Sequence, residues 1–340
     1  MFCAASGAQT SRVSVMRKMR RIGPPVLFIL ALLCGAGALA GETAAEAGRP
    51  TWLKGNTHTH TLESDGDSPP ADAVRWYREH GYDFLVITDH DKITRVDGGG
   101  MVLIPGEEIT DRLPKRPLHV NALGIEKPIP PQHGTTAVEV LQRNIDAVRE
   151  AGGIPAVNHP NFGWAFGADE LLKLERFALL EIASGHPYVN MLGPPSVEEM
   201  WDKLLTAGKR VWGIGVDDSH NFKESPDPRP PGKAWIVVRA ERDAKSILSA
   251  IERGDFYAST GVELTDYAVN EKSMTVTVRE KDYAHYRIQF IGANGRVLQE
   301  SLGTNATYTF RGKEPYVRAK VIDSNGKCAW MQPSFLSARR

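Results

Sequence analysis

Cysteine is scarce in this chain of 340 residues, which has three, at positions 3, 34 and 328. The first two lie in an N-terminal stretch that we expect to be removed, so the mature chain would keep Cys328 alone. One cysteine excludes the internal disulfide framework that many exported proteins use. Folding must instead rely on a hydrophobic core, for which an apolar content of 41% is sufficient.

Acidic residues are absent before Glu42, whereas this stretch contains five basic residues: Arg12, Arg17, Lys18, Arg20 and Arg21. An apolar run from Val26 to Ala40 follows and ends in small residues, the pattern of a secretory signal. The run is shorter than the roughly 20 residues of a spanning helix, which favours cleavage over an uncleaved anchor. We therefore predict a signal peptide at 1–40, with Met16 or Met19 as alternative starts, and a linker at 41–50. The predicted location is periplasmic or extracellular.

The chain also lacks a basic excess, since 41 basic residues are matched by 41 acidic ones. Without the five basic residues of the signal, 36 basic residues face 41 acidic ones, a net charge of −5. This balance argues against a long nucleic-acid partner. We predict a small substrate, and no stable membrane insertion once the signal is cleaved. The sequence leaves the oligomeric state open.

Short apolar runs alternate with amphipathic stretches from Thr51 onwards. Residues 83–88 are typical of a buried parallel strand, and residues 135–152 have the apolar spacing of a helix. Repeated β-α units over 51–259 predict an α/β fold with a closed or nearly closed parallel barrel; an open doubly wound sheet is the alternative. After Gly261, alternating strands and Asn-Gly turns predict a small antiparallel, sandwich-like β domain at 260–340.

Six of the ten histidines lie next to predicted strand ends, together with several acidic residues. His58 and His60, two apart, point to one face of the first strand. Carboxyl ends of strands are where α/β barrels build active sites. Histidine and carboxylate without cysteine suit Zn, Mn or Fe, and so many ligands suit two or three divalent ions. The pattern predicts hydrolysis of a phosphoester by a metal-activated hydroxide.

Together these motifs resemble the PHP (polymerase and histidinol phosphatase) superfamily over about residues 51–259. The motifs are His58-x-His60, Ser64-Asp65-Gly66, Thr88-Asp89-His90, Pro105-Gly-x-Glu108, His119, Asn158-His159-Pro160 and Asp218-x-His220. The resemblance implies a distorted seven-stranded (β/α) TIM-like barrel and usually a trinuclear metal site. The implied ligands are His58, His60, Asp65, His90, Glu108, His119, His159, Asp218 and His220.

Two of these choices have a neighbour that could replace them. Glu108 fits the Gly-x-Glu spacing better than Glu107, and Asp218 fits Asp-x-His better than Asp217. Asp65 stands where some members of the superfamily have histidine, which resembles the branch containing nucleotide phosphoesterases.

Catalytic roles are expected for Asp218, which would hold or deprotonate the attacking water, and for His220 or a third ion at the leaving oxygen. The substrate-binding candidates are Lys92, Asn121, Asn161 and Lys223. Supporting roles near the ligands are predicted for Asp89, Asp91, Glu181 and His186.

We expect an exported metal-dependent phosphoesterase that acts on a small phosphomonoester or nucleotide. Exonuclease-like cleavage of short oligonucleotides is one alternative, and hydrolysis of a phosphate-free amide or lactone by the same metal cage is another. A third alternative is non-enzymatic, with the barrel carrying a glycan- or protein-binding β domain.

Overall fold

The computed structural model describes residues 50–190, 196–226 and 228–336. The predicted signal peptide and nearly all of the predicted linker lie outside the described residues. Within the described ranges, no helix combines the length and apolarity needed to cross a bilayer.

Helices and strands alternate in the first 200 described residues, and strands dominate the remainder. The α-helices are α1 Pro70–Glu79, α2 Ala137–Glu150, α3 Ala168–Leu171, α4 Pro187–Asn190, α5 Val197–Thr206 and α6 Ala244–Arg253. The strands before residue 260 are β1 Thr51–Asn56, β2 Phe84–Ile87, β3 Val102–Leu113, β4 Arg116–Leu123, β5 Ile154–Val157, β6 Leu179–Ser184, β7 Trp212–Val216, β8 Trp235–Ala240 and β9 Phe256–Ser259. The later strands are β10 Leu264–Val269, β11 Ser273–Val278, β12 Tyr286–Gly292, β13 Arg296–Leu302, β14 Asn305–Thr309, β15 Tyr316–Asp323, β16 Cys328–Met331 and β17 Ser334–Phe335.

Most of these strands belong to one large mixed sheet, in the order β13-β12-β15-β16-β9-β8-β1-β2-β3-β4-β5-β6-β7, with β17 paired to β15. A second sheet has the order β10-β11-β14. The α/β class predicted from the sequence is confirmed, and β1 lies near the middle of the main sheet.

A parallel (β/α) barrel is not confirmed, because the sheet contains both parallel and antiparallel pairs. β1 with β2, β2 with β3, β5 with β6 and β6 with β7 are parallel, whereas β3 with β4, β4 with β5 and β1 with β8 are antiparallel. Pro114 and Lys115 alone connect β3 to β4, with Lys115 at φ 63°. Such a short turn leaves no room for the crossover that parallel neighbours need.

The loops that follow β1 and β7 are joined by backbone hydrogen bonds. Asp218 N donates to His58 O at 3.0 Å, and His60 N donates to Ser219 O at 2.8 Å. The loops after β1 and β7, which hold several predicted ligands, therefore lie side by side, although other strands separate β1 from β7 in the sheet order.

Helix α2 shows how sequence pattern produces packing in the α/β part. The Thr136 hydroxyl caps its first turn by accepting a hydrogen bond from Glu139 N at 3.2 Å. Val140, Leu141 and Ile145 recur at helical spacing and are fully buried against the sheet.

The C-terminal strands are antiparallel, as predicted, but they extend the main sheet. β16 pairs with β9, with Trp330 opposite Ala258. The three-stranded sheet shares an apolar core with β12, β15 and β16 of the main sheet, and this core includes Met274, Phe290 and Val321. The predicted boundary between residues 259 and 260 thus falls within a hydrogen-bonded ladder, and a separate domain at 260–340 stays a prediction.

A buried ion cluster also ties these strands to α5. The Arg318 guanidinium donates to both oxygens of Asp202, at 2.8 and 2.7 Å, and to Glu198 at 2.9 Å. Tyr316 Oη donates to Asp202 at 2.8 Å. Arg318 is 1% exposed, so this bidentate pair is shielded from water and fixes β15 against α5.

Candidate metal centre

His58 and His60 lie just beyond the end of β1 and are completely buried. Asn56 Oδ1 accepts a hydrogen bond from His58 N at 3.0 Å, which shapes the turn between them. The Nε2 atoms of the two histidines are 3.1 Å apart. Two imidazole nitrogens that face each other so closely need a proton or a cation between them.

Two carboxylates converge on the same pair of nitrogens. Glu108 Oε2 lies 3.4 Å from His58 Nε2 and 3.3 Å from His60 Nε2, and Asp218 Oδ1 lies 3.2 and 3.3 Å from them. Glu108 lies in the middle of β3 and not at its end, because this strand continues to Leu113. His119 likewise lies inside β4, opposite Thr110 of β3.

The other predicted ligands surround this pair on two sides. His119 Nδ1 and His159 Nε2 lie 2.9 and 3.2 Å from Glu108 Oε1. On the other side, Asp65 is 3.5 Å from His90 Nε2 and 3.3 Å from His220 Nε2.

All nine predicted ligands fall into four overlapping groups whose donor atoms lie within 4.8 Å of one another. The groups are His60 with Asp65, His90 and His220; His58 with Glu108 and His159; His58 with His60 and Asp218; and His90 with Glu108 and His119. The nitrogen and oxygen donors fit a divalent transition metal. His159 Nδ1 is also buried without a hydrogen-bond partner among the described residues. The cluster is therefore able to bind metal, and the groups share members.

The two ambiguous acidic neighbours have other partners. Asp217 accepts hydrogen bonds from Gly232 N, Lys233 N, Ala234 N and Tyr77 Oη at 2.6–3.0 Å. Glu107 Oε1 accepts from Ile129 N at 2.5 Å. Both side chains therefore serve the fold around the cluster, and Asp218 and Glu108 are the acids that reach it.

Glu181 and Asn158 orient the predicted ligands. His58 Nδ1 donates to Glu181 Oε1 at 2.6 Å, which leaves Nε2 as the atom that faces the cluster. The other Glu181 oxygen accepts from His159 N at 2.9 Å. Asn158 Nδ2 donates to Glu108 Oε1 at 2.8 Å. Carboxylate-histidine pairs of this kind fix the tautomer and the ring orientation of a metal ligand.

Asp89 and Asp91, for which supporting roles were predicted, hydrogen-bond to neighbouring loops and strands, and neither bonds to an imidazole among the described residues. Asp89 accepts hydrogen bonds from Thr61 N and Ser64 Oγ, each at 2.7 Å, and so holds the loop after β1. Asp91 accepts from Thr110 N at 2.8 Å. Asp89 and Asp91 therefore stabilise the segments next to His90 and the other predicted ligands.

Three of the four substrate-binding candidates are occupied by partners within the protein. The Lys92 ammonium pairs with Glu63, and Lys223 Nζ donates to Asp67 O at 2.7 Å. Asn121 Nδ2 donates to Thr57 O at 3.2 Å, and its Oδ1 accepts from Asn158 Nδ2. Each of these side chains therefore has a partner within the protein, and their substrate-binding roles stay predictions.

The fourth candidate, Asn161, lies beside a cavity of about 770 Å³ between the β6 side of the α/β part and the C-terminal strands. Arg318 and Lys320 line the same cavity, and none of the nine predicted ligands does. A substrate contact by Asn161 stays a prediction.

Arg229 was not singled out from the sequence, yet it lies against the ligand-bearing loop. Its carbonyl oxygen accepts from His220 N at 2.9 Å and from Asn221 N at 3.1 Å. Its Nε is buried without a partner, and no carboxylate pairs with its guanidinium among the described residues. It follows His220 by nine positions, and no motif marks it.

The backbone is strained at two of the ligands. Asp218 has φ 47° and His159 has φ 22°, a region that residues with a Cβ rarely adopt. Such outliers persist where surrounding contacts impose them, and they concentrate at functional sites. At Asp218 the strain turns the carboxylate towards His58 and His60.

Burial and mutual charge set the protonation of the cluster. Burial lowers the pKa of His60, but hydrogen bonds to Asp218 and Glu108 outweigh it and raise that pKa to about 9. Burial would raise the pKa of Glu108, but the charges of His58 and His119 hold it well below the usual value. Without metal, therefore, protonated histidines balance the ionised carboxylates at neutral pH.

No protein-family model and no curated protein matches this chain. Among solved structures, the chain is similar to a two-domain protein from Bacteroides vulgatus described as containing a predicted PHP-like metal-dependent phosphoesterase. The two are 16% identical with a TM-score of 0.47, and the match covers 83% of this chain and 95% of the other.

Two further solved structures each match 52% of the chain. One, from Bifidobacterium adolescentis, is provisionally described as a metal-dependent phosphoesterase (17% identity, TM-score 0.37, 91% of that chain). The other is an amidohydrolase from Chromobacterium violaceum with bound sulfate (15% identity, TM-score 0.35, 93% of that chain). At these values the similarity assigns no activity, so function must be argued from the site.

Metal uptake at pH 7 should release protons. His60, with a pKa of about 9, is protonated in the metal-free protein and must become neutral to bind metal. We expect at least about one proton to be released per chain. The metal affinity should fall about tenfold for each unit by which the pH is lowered, for each proton displaced. Calorimetric titration of Mn²⁺ or Zn²⁺ in two buffers of different ionisation enthalpy measures this release. Identical heats in both buffers would contradict it.

Replacement of Glu181 by Gln should weaken metal binding. The variant keeps the size of the side chain but removes the charge that holds the His58 ring, and losses at such positions are about 10- to 100-fold in affinity. Competition with a fluorescent chelator measures the change. Glu175→Gln, on an exposed glutamate paired with Lys209, is the matched control and should bind metal normally.

Proposed function

We propose that this chain is a PHP-like metal-dependent phosphoesterase that hydrolyses a small phosphomonoester, with two or three divalent ions held by the nine clustered residues. The observation that carries the proposal is the position of Glu108, whose Oε1 faces His119 and His159 while its Oε2 faces His58 and His60. A carboxylate in this position can bridge two adjacent ions, and nine ligands exceed the roughly four to six positions around a single transition metal ion. Divalent ions at such a site supply Lewis acidity and a water nucleophile at neutral pH.

Side chains of the protein would orient the attacking water and the leaving oxygen. In this proposal Asp218 Oδ1, on the loop with positive φ, would fix the attacking water and accept its proton. His220 Nδ1 donates to the Asp218 carbonyl oxygen at 2.9 Å, which directs Nε2 towards Asp65. From that position His220 can bind an ion or hold a proton for the leaving oxygen.

Arg229 favours a phosphoester over a neutral amide or lactone. The backbone of Arg229 contacts the loop that carries His220, and its half-buried guanidinium has no carboxylate partner among the described residues. Such a guanidinium is costly unless an anion binds to it. Arginine matches phosphoryl oxygens with paired N–H donors. We assign Arg229 to the phosphoryl group of the substrate, the role first assigned to Lys92 and Lys223.

Export and the identity of the ions are also parts of this proposal. The signal at 1–40 places the enzyme in the periplasm or outside the cell, and the donor set suits Mn, Zn or Fe. Short oligonucleotides are the second class of substrate, because the mature charge near −5 disfavours longer ones.

The test combines metal analysis with a substrate panel. Purified mature protein should contain two or three metal ions per chain and release phosphate from small phosphomonoesters. Asp218→Asn should lower kcat/KM by at least about a hundredfold while the protein stays folded, because asparagine tolerates the positive φ at this position. Circular dichroism and metal content check the fold and the loading.

Asp282→Asn, at an exposed aspartate of the C-terminal part, is the matched control and should retain activity. Phosphate release by the Asp218 variant at the wild-type rate would contradict the catalytic role. Full loading with turnover of phosphate-free esters alone would redirect the proposal to another hydrolysis.

Removing the Arg229 guanidinium should weaken recognition of phosphate specifically. We expect Arg229→Met to lower kcat/KM for phosphomonoesters by about 10- to 100-fold, and to raise the inhibition constant of inorganic phosphate in parallel. Metal content should not change. Arg279→Met, at an exposed arginine, is the control. Unchanged inhibition by phosphate in the Arg229 variant would overturn the assignment.

A further inference from the structure

The backbone of Arg229 is bound to the loop that carries His220. The Arg229 carbonyl oxygen accepts hydrogen bonds from His220 N at 2.9 Å and from Asn221 N at 3.1 Å, and Arg229 N donates to Asn221 Oδ1 at 2.9 Å. Three hydrogen bonds thus join residues that are eight or nine positions apart. Because one of them begins at the backbone of His220, they fix the position of Arg229 relative to a predicted metal ligand.

The Asn221 side chain is held in turn by Asp67, on the loop after β1. Asn221 Nδ2 donates to Asp67 Oδ2 at 3.4 Å, and Phe222 N donates to Asp67 Oδ1 at 2.9 Å. Asp67 N donates to His220 O at 2.8 Å. Asp67 and Asn221 therefore connect the loop after β1 to the backbone of Arg229 through contacts that involve no side chain of a predicted ligand.

The other end of the loop between β7 and β8 is also fixed. Asp217 is fully buried, and its carboxylate accepts hydrogen bonds from Gly232 N, Lys233 N and Ala234 N at 2.6–3.0 Å. The chain is thus held on both sides of Arg229, and the long side chain of Arg229 projects from a backbone of fixed position.

The charge of Arg229 acts on the same side of the metal centre. His186, for which a supporting role was predicted, has its ring centroid 5.7 Å from that of His220. Burial above all, together with nearby positive charges that include Arg229, lowers the pKa of His186 to about 4. The Arg229 guanidinium therefore lies near enough to this side of the centre for its charge to act there.

We propose that Asn221 and Asp67 are positioning residues, which hold Arg229 where its guanidinium can bind the phosphoryl group while that group also contacts the metal centre. This inference rests on the proposed function, because it needs a phosphoryl group at that centre. One phosphoryl group can meet both partners only if the distance between them is correct. Hydrogen bonds that fix the Arg229 backbone beforehand reduce the conformational entropy that binding would otherwise cost.

Asn221→Ala tests the proposal, because it removes the acceptor of Arg229 N and changes none of the nine predicted ligands. We expect the dissociation constant of inorganic phosphate, measured by calorimetric titration of the metal-loaded protein, to rise about three- to tenfold, the loss that one or two hydrogen bonds give. The kcat/KM for a small phosphomonoester should fall in parallel. Metal affinity, measured by competition with a fluorescent chelator, should not change. Asn325→Ala, at an exposed asparagine, is the matched control.

Combination with Arg229→Met separates positioning from a general loosening of the loop. If Asn221 acts through the guanidinium, Asn221→Ala should have no further effect in Arg229→Met protein, so the two effects are not additive. A loop loosened around His220 would instead weaken phosphate binding in both backgrounds and would lower metal affinity.

A second variant, Asp67→Asn, tests the proposal from the other loop. It keeps the size of the side chain but removes the charge that holds Phe222 N and Asn221. Phosphate binding should weaken about two- to fivefold, again only when Arg229 is present. Asp282→Asn is its control, and this variant decides the question if Asn221→Ala does not fold.

The outcomes distinguish this inference from the proposed function. Phosphate affinity unchanged in both variants, an equal loss with and without Arg229, or a loss of metal affinity in both variants overturns the positioning role and leaves the phosphoesterase in place. Unchanged phosphate affinity in Arg229→Met protein removes the assignment of Arg229 and this inference with it. A metal-loaded wild type that neither binds phosphate nor releases it from phosphomonoesters overturns the proposed function and this inference together.

Discussion

The burial of Glu108 and Asp218 among histidines is the constraint on which the rest of the site depends. Two ionised carboxylates without water are tolerated only if positive charge lies beside them. Histidine can supply that charge as a proton, or it can give the proton up and let a metal ion supply it. The same residues are therefore stable in two states of charge, and the fold does not have to change between them.

The antiparallel pairing of β3 with β4 brings Glu108 and His119 into the cluster. A purely parallel sheet would bring side chains together only at strand ends. The long β3–β4 hairpin instead places Glu108 and His119 in the interior of two paired strands, where Glu108 reaches towards both sides of the cluster. Strained backbone at His159 and Asp218 completes the convergence from the opposite loops. Rigid strands hold one side of the site and constrained turns hold the other.

The residues that gather in the cluster were accessible from the sequence, because spacings such as His58-x-His60 and Asp218-x-His220 put polar side chains of the right type beside strand ends. The helices were also predictable, since the apolar period of α2 is determined locally. The order of the strands was harder to predict. The short Pro114-Lys115 turn pairs β3 with β4 as an antiparallel hairpin, whereas the sequence predicted repeated parallel β-α units. Arg229 reaches His220 only because the loop between them folds back over nine residues, and no short motif records such a turn.

The pairing of β1 with β8 limits when the site can assemble during synthesis and folding. Asn56 donates a hydrogen bond to Ala234, 178 residues later, and His58 takes its place beside Asp218 only when these distant segments have met. Long-range pairing of this kind is slow, because the intervening loop must close first. An emerging polypeptide therefore holds no assembled cage until most of it has been synthesised. An ion bound by the proposed enzyme would therefore be taken from the compartment in which folding is completed.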